Sequence, residues 1–175
     1  MGRTRRRRGR HFPPGYHHDK INDSKQLSEK ERDSLYDVIM KDAIAIGVGQ
    51  VEAAVIDKVN ILQATKTAMR QALGQLNIKP DFVMFDAIHL DDFKTPQLSL
   101  IKGDALALPI AAASIIAKVT RDRLMHQLRQ RYPEYRFDLH KGYGTALHAA
   151  MIEKYGPIKG VHRFTYKPLK KYLLR

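Results

Sequence analysis

One segment constrains this chain more than any other: IAAASIIAKVTRDRLMHQLRQRY, residues 110–132, the longest stretch in which apolar residues recur at helical spacing. It follows Pro109 and is stopped by Pro133, and its small-residue face around Ala111 to Ala113 lets a helix pack closely on a sheet. Two compact β-favouring runs stand before it. DFVMFD (81–86) is entered through Pro80, and LSLIK (98–102) follows the polar loop HLDDFKTPQ.

The remaining elements alternate in kind. Ser28 followed by Glu31 is a capping-box pattern, and Leu35, Val38 and Ile39 recur behind it, which predicts a helix from about Ser28 to Asp42. AIAIGVG (43–49) reads as a short strand. Asn60 is placed to cap a second long helix, in which Ile61, Leu62, Ala64, Ala68, Met69, Ala72 and Leu73 repeat at three and four residues. A last helix is expected from about Thr145 to Tyr155, ahead of a basic C-terminal stretch. Strands alternating with helices predict an α/β domain.

At 175 residues the chain is sized for one domain with one core. Residues 1–20 combine an arginine block with Pro13, Pro14 and Gly15 and hold little apolar material, so they are expected to form a basic, disordered tail ahead of a domain spanning 21–175. The net charge is +13, of which six arginines in the first ten residues supply +6 and the rest of the chain +7. That excess favours an anionic partner such as nucleic acid. With no cysteine, there is neither a disulfide framework nor a thiolate metal site. No apolar run reaches the roughly 20 residues of a membrane span, and no apolar stretch follows the basic start as in a secretory signal. The arginine block lacks the serines and amphipathic spacing of a transit peptide. A cytoplasmic protein, acting as a monomer and away from membranes, is expected.

Two carboxylates stand out by position. Asp86 closes an apolar strand, the edge at which α/β folds place site residues, and Asp104, in Lys102-Gly103-Asp104, follows the next strand in the same way. If the two strands share an edge, both acids face one crevice, as a divalent cation with a preference for oxygen ligands requires. Taken alone, Asp86 is more readily a strand-ending turn aspartate. Ser114, His140 and His162 invite a nucleophile-and-base reading, but no glycine elbow surrounds the serine, and core or loop roles fit the three better. His140 and His162 are alternatively residues of a nucleic-acid surface. His17, His18 and Asp19 in the tail are at most an adventitious metal site.

Taken in order, NDSKQLSEKERDSLY, DKVNILQATKTAMRQAL, FVMFD, KGDALALPIAAASIIAKVTRDRLM and HKGYGT with a downstream HR resemble the successive signature blocks of bacterial ribonuclease HII, over about Ile21 to Pro168. The resemblance implies a ribonuclease H-like fold with a mixed central sheet flanked by helices. It also implies four acidic residues binding Mn²⁺ or Mg²⁺, two of which match Asp86 and Asp104. The substrates implied are RNA–DNA hybrids and DNA containing ribonucleotides, cut 5′ of the ribonucleotide to leave 5′-phosphate and 3′-hydroxyl ends. Tyr143 matches a tyrosine that stacks near the sugar after the ribonucleotide, and Lys25 matches a phosphate contact. Asp122, although within a block, is expected to be a structural ion-pair or helix-surface residue.

The chain departs from that pattern at its start. The family opens with a strand bearing Asp-Glu-x-Gly-Arg-Gly, which supplies the other two acids, and these 175 residues contain no such sequence. The N-terminal strand region is thus expected to be missing or replaced, with little or no nuclease activity in the chain as written. The arginine run is what GC-rich codons yield in a shifted frame, so the motif is expected in an upstream frame of the DNA. The competing expectation is a non-catalytic nucleic-acid-binding protein. A basic structural protein of an RNA particle is supported by composition alone.

Overall fold

A computed structural model describes residues 12–13, 15–21 and 24–172. The arginine block, Pro14, and Asn22 and Asp23 of the NDSK sequence lie outside the described residues. The helices are α1 (Glu29–Asp42), α2 (Ala53–Gly74), α3 (Gly103–Leu106), α4 (Leu108–Arg131), α5 (Phe137–His140) and α6 (Ala146–Tyr155); the strands are β1 (Val83–Asp86) and β2 (Gln97–Leu100). Single 3-10 turns occupy Pro133–Tyr135 and Lys167–Tyr172. The α/β class is as expected. Among the described residues, however, the sheet is limited to β1 and β2, paired in parallel with Asp86 opposite Leu100.

The chain divides into two compact units where one core was expected. The first is 1–48 with 72–119, and the second is 49–71 with 120–175. In the first, Leu35 and Ile39 of α1 pack with Ala111, Ala112, Ile115, Ile116 and Val119 of α4, and Phe12 and Ile21 complete the cluster. Ala111 and Ala112 of α4 therefore share a core with α1, and Ala113 is exposed. Phe12 is buried and stacks on Tyr16 at 4.6 Å, while the Tyr16 hydroxyl donates to Asp42 at 2.9 Å. These contacts correct the expectation of a disordered tail reaching residue 20.

Helix α1 begins as its sequence requires. The Ser28 Oγ accepts from the Glu31 N–H and donates to the Glu31 carboxylate, which also accepts from the Ser28 N–H at 2.8 Å. These bonds from Ser28 hold the Glu31 carboxyl below its usual pKa. Ser28→Ala is expected to cost about 1 kcal/mol, the usual value of such a cap, read as a lower midpoint in urea unfolding with an unchanged slope.

The strand expected at 43–49 does not form. Residues 45–50 are without regular structure, and their main-chain groups bond to side chains at and just past the end of α2: the Gln75 amide accepts from the Val48 N–H at 3.1 Å and donates to the Val48 carbonyl at 3.0 Å, and Gln71 accepts from the Gln50 N–H at 3.1 Å. The chain lies close enough to α2 that a Cβ on Gly47 would sit 2.0 Å from the Ala72 carbonyl oxygen, and one on Gly49 would sit 1.8 Å from that of Ala68. Side-chain amides supply these main-chain bonds where a strand would use a ladder partner.

Helix α2 carries Asn60 at φ 68°, outside helical geometry, and the Asn60 Oδ1 accepts from the Gln63 N–H at 3.1 Å. Asn60 is thus the cap expected of it. The helical residues before it, from Ala53, were not expected. In the second unit Met125, Tyr135, Phe137, Ile152 and Leu169 form the core. No helix among the described residues is long and apolar enough to cross a membrane.

Candidate active site

The parallel pairing of β1 and β2 sends both chains out of the sheet at one edge. Beyond it, the Ala87 N–H donates to the Leu100 carbonyl at 2.9 Å, and the Gly103 N–H donates to the Asp86 carboxylate at 3.0 Å. Asp86 therefore lies against the residue directly before Asp104. A Cβ on Gly103 would fall 2.5 Å from the end of the Ile110 side chain, so a larger residue there would have to displace that methyl group.

The two carboxylates differ in setting. Asp86 is exposed, whereas Asp104 is 6% exposed, with Lys25 Nζ 3.3 Å from its carboxylate. Lys25 is itself 78% exposed along its side chain, so the pair is a buried anion facing a solvated cation. The residues flanking the acids are held in unusual backbone geometry: Ala87 has φ 54° and Lys102 φ 57°. Such left-handed residues other than glycine cost on the order of 1 kcal/mol each and persist where the surroundings dictate the path of the chain. The ten-residue connection between the strands is fastened by the fully buried Leu90, whose N–H and carbonyl both bond the Gln97 side-chain amide, at 2.9 and 2.7 Å.

Hard oxygen donors are the ligands that Mg²⁺ and Mn²⁺ prefer. Asp86 and Asp104 fit such an ion in kind, and Asp104 already lies 3.3 Å from the Lys25 ammonium. They do not complete a coordination sphere. Among the described residues no group of three His, Cys, Asp or Glu is placed to hold a metal.

In the second unit Tyr143 stands on the turn after α5, 56% exposed. Lys141, at φ 48°, and Gly142, at φ 77°, turn the chain into it, and Arg121 donates to the Lys141 carbonyl at 3.3 Å. Behind the turn lie three buried imidazoles. His140 and His148 stack with centroids 4.0 Å apart, and the Nε2 atoms of His148 and His162 are 3.1 Å apart. The core reading of His140 and His162 therefore holds, and neither faces a nucleic-acid surface. Ser114 is likewise structural, with its Oγ 2.7 Å from that of Ser24. Asp122 is buried on α4, which corrects the helix-surface alternative. His148 was not anticipated; only its spacing from His140 and the downstream His162 hinted at an imidazole cluster.

Burial pushes the His162 pKa down to about 4, assisted by His148 and opposed by the bond from the Ile158 N–H. Burial lowers His148 as well, against a bond to the Tyr143 carbonyl. Both rings are held neutral in the fold, whereas in the unfolded chain they take up protons below about pH 6.5. The His162 contribution is fully present above that pH and is lost as pH falls through about 4. For His162 alone this amounts to about 3 kcal/mol, so unfolding free energy is expected to rise with pH between 4 and 6.5. Urea titrations at half-unit pH steps measure it, and a flat profile would contradict it.

Known proteins resemble this chain closely. The family model described as Ribonuclease HII matches residues 17–169. The ribonuclease HII of Listeria monocytogenes serotype 4b (strain F2365) is 55% identical over 150 residues, which are 86% of this chain and 57% of that protein. That of Syntrophus aciditrophicus (strain SB) is 49% identical over 156 residues, covering 89% and 73%. The chain thus spans little more than half the length of the Listeria relative. Among solved structures, the ribonuclease H2 from Pyrococcus horikoshii OT3 superposes with a TM-score of 0.72 at 26% identity, covering 87% of this chain and 79% of that one. The fold is accordingly the ribonuclease H-like fold. With a family model spanning nearly all of it, the chain belongs to the ribonuclease HII family.

Proposed function

We propose that this chain carries the Asp86 and Asp104 half of a divalent-cation-dependent endonuclease that cuts RNA paired with or joined to DNA. One observation supports this above the others: the Asp86 carboxylate is fastened to the Gly103 N–H, the residue next to the buried Asp104. In this reading Asp86 and Asp104 hold Mn²⁺ or Mg²⁺, which when bound lowers the pKa of a water and neutralises the leaving 3′-oxygen. The chain's own groups then do the positioning. Asp86 keeps its outer oxygen turned to solvent while its other oxygen is anchored, Asp104 supplies anionic charge from a protected site, and the exposed Lys25 ammonium is a phosphate contact. The Tyr143 ring offers an aromatic face for a sugar or base, as single-stranded or splayed nucleotides require. Lys141 on the same turn, and Arg121 of α4 bonded to it, add positive charge.

These 175 residues hold two of the four acids and no Asp-Glu-x-Gly-Arg-Gly sequence. Cleavage by this polypeptide alone is therefore expected to be slow, and a chimera joined to a relative's segment bearing that sequence is expected to be faster by orders of magnitude. The test is a DNA duplex with one embedded ribonucleotide, incubated with Mn²⁺. Nicking on the 5′ side of the ribonucleotide supports the nuclease reading, retardation in a gel without nicking by either polypeptide supports a non-catalytic binder, and neither result rejects both.

A further inference from the structure

The structure assigns to His148 and His162 a directed hydrogen-bond chain that fixes the Tyr143 carbonyl, which makes His148 a positioning residue for the exposed tyrosine. Each proton in the chain is determined by its neighbours. A main-chain carbonyl only accepts, so at 2.9 Å from the Tyr143 oxygen the His148 Nδ1 must carry a hydrogen and donate. At the other end the Ile158 N–H donates to His162 Nδ1 at 2.9 Å, so that atom is bare and the His162 proton is on Nε2. The two Nε2 atoms are 3.1 Å apart, and His162 therefore donates to His148. Hydrogens run in one direction, from Ile158 through both rings to the turn that carries Tyr143. A metal ion between the two Nε2 atoms is excluded by the same logic, because it would force a hydrogen onto His162 Nδ1, against the Ile158 N–H.

The rest of the turn is tied down in the same region of the second unit. The Tyr143 N–H donates to the His140 carbonyl at 2.8 Å, and the Tyr143 carbonyl also accepts from the Thr145 N–H at 2.8 Å. His140 donates through Nε2 to the Tyr135 carbonyl at 2.8 Å and accepts on Nδ1 from the Gly142 N–H at 3.1 Å. Downstream of His162, Asp57 accepts from the Phe164 N–H, the Thr165 N–H and the Thr165 hydroxyl, at 2.8, 3.0 and 2.6 Å. His148 is thus the link between a firmly held segment at 158–165 and a turn that places an aromatic ring in solvent. A core histidine without this task would need no partner on the carbonyl of Tyr143.

The inference rests on the reading of Tyr143 as a nucleic-acid contact, and its test separates the two. His148→Asn keeps a donor at the Nδ1 position, whereas His148→Gln moves it to the Nε2 position and loses the Tyr143 bond. Affinity of the full chain for a duplex with one embedded ribonucleotide is compared with affinity for the all-DNA duplex. Tyr143→Ala is expected to reduce that preference by roughly tenfold, the low end of what a stacked aromatic contributes. His148→Gln is expected to match it, His148→Asn to stay within about threefold of the parent, and the His148→Gln, Tyr143→Ala double variant to lose nothing more than Tyr143→Ala alone. Additive losses, or equal behaviour of the Asn and Gln variants, would overturn the positioning role. Should Tyr143→Ala leave the preference unchanged, the nucleic-acid reading of Tyr143 fails while positioning is still decided by hydrogen exchange of the Thr145 amide: faster exchange in His148→Gln than in His148→Asn supports it, and equal exchange overturns it. Nitrogen chemical shifts of the two rings supply an independent check, with a hydrogen on His148 Nδ1 and on His162 Nε2 expected, and the opposite assignment fatal.

Discussion

Asp86→Asn is expected to abolish whatever cleavage the chain supports in Mn²⁺, and to weaken Mn²⁺ binding, while leaving the fold in place. The Gly103 N–H needs only an oxygen to bond, and the asparagine Oδ1 supplies one at the same position, so the 3.0 Å contact is retained and the negative charge alone is lost. Because Asp86 is exposed, removing its charge costs no desolvated partner. Unfolding free energy in the absence of metal should move by less than about 0.5 kcal/mol, the range of ordinary surface substitutions. Asp104→Asn provides the contrast. Its carboxylate is buried against a Lys25 side chain that is 78% exposed, and an ion pair with so solvated a partner contributes little, while a buried charge without full compensation is itself costly. The metal-free fold is expected to be unharmed or slightly firmer in that variant, and cation binding equally impaired. Titration of Mn²⁺ by calorimetry alongside urea unfolding separates the two effects. Unchanged turnover in Asp86→Asn would remove that residue from the mechanism.

The two strands that carry Asp86 and precede Asp104 were legible in the sequence because each is a short β-favouring run, and they pair in parallel. Helix α1 was legible for a similar reason, since its capping box is a local interaction that three residues specify. What failed was always a question of partner. The residues of 43–49 have the apolar, β-branched character of a strand, yet nothing in them states that Gln71 and Gln75 would bond main-chain groups in and just after this stretch. Asn60 announced the start of a helix correctly, but not the helical residues just before it, because a single residue at φ 68° lets one helix follow another without a loop. Phe12 and Tyr16 stand in a stretch dominated by charge and proline, and their stacking is invisible to composition. The histidines were the hardest case. A buried neutral imidazole and a solvent-facing one are the same letter, and only the converging carbonyls and N–H groups around His140, His148 and His162 distinguish them.

Those imidazoles share one apolar support, so Phe137→Ala is expected to be the most damaging single substitution in the second unit. Phe137 is 2% exposed. Its ring stacks on Tyr135 at 5.5 Å and meets His140, His148 and His162 at 5.5, 5.9 and 5.7 Å, which makes it the common wall of the cluster. Truncating a buried phenylalanine generally costs about 3 to 5 kcal/mol, a large share of the roughly 5 to 15 kcal/mol that holds a protein folded. The cavity left here would differ from an apolar one, because rings with polar edges line it and water has partners there. Hydration of the cavity would weaken the desolvation that pushes the His162 pKa down to about 4, and the ring would titrate closer to its ordinary value. The substitution should therefore act twice: stability falls at pH 7, and the rise of stability between pH 4 and 6.5 becomes shallower. Phe137→Leu retains most of the apolar volume and is expected to lose less on both counts. Urea unfolding of the three proteins at pH 5 and pH 7 measures the two effects together, and a Phe137→Ala protein that was weakened yet kept the parent's full pH dependence would show that the histidines owe their neutrality to something other than this ring.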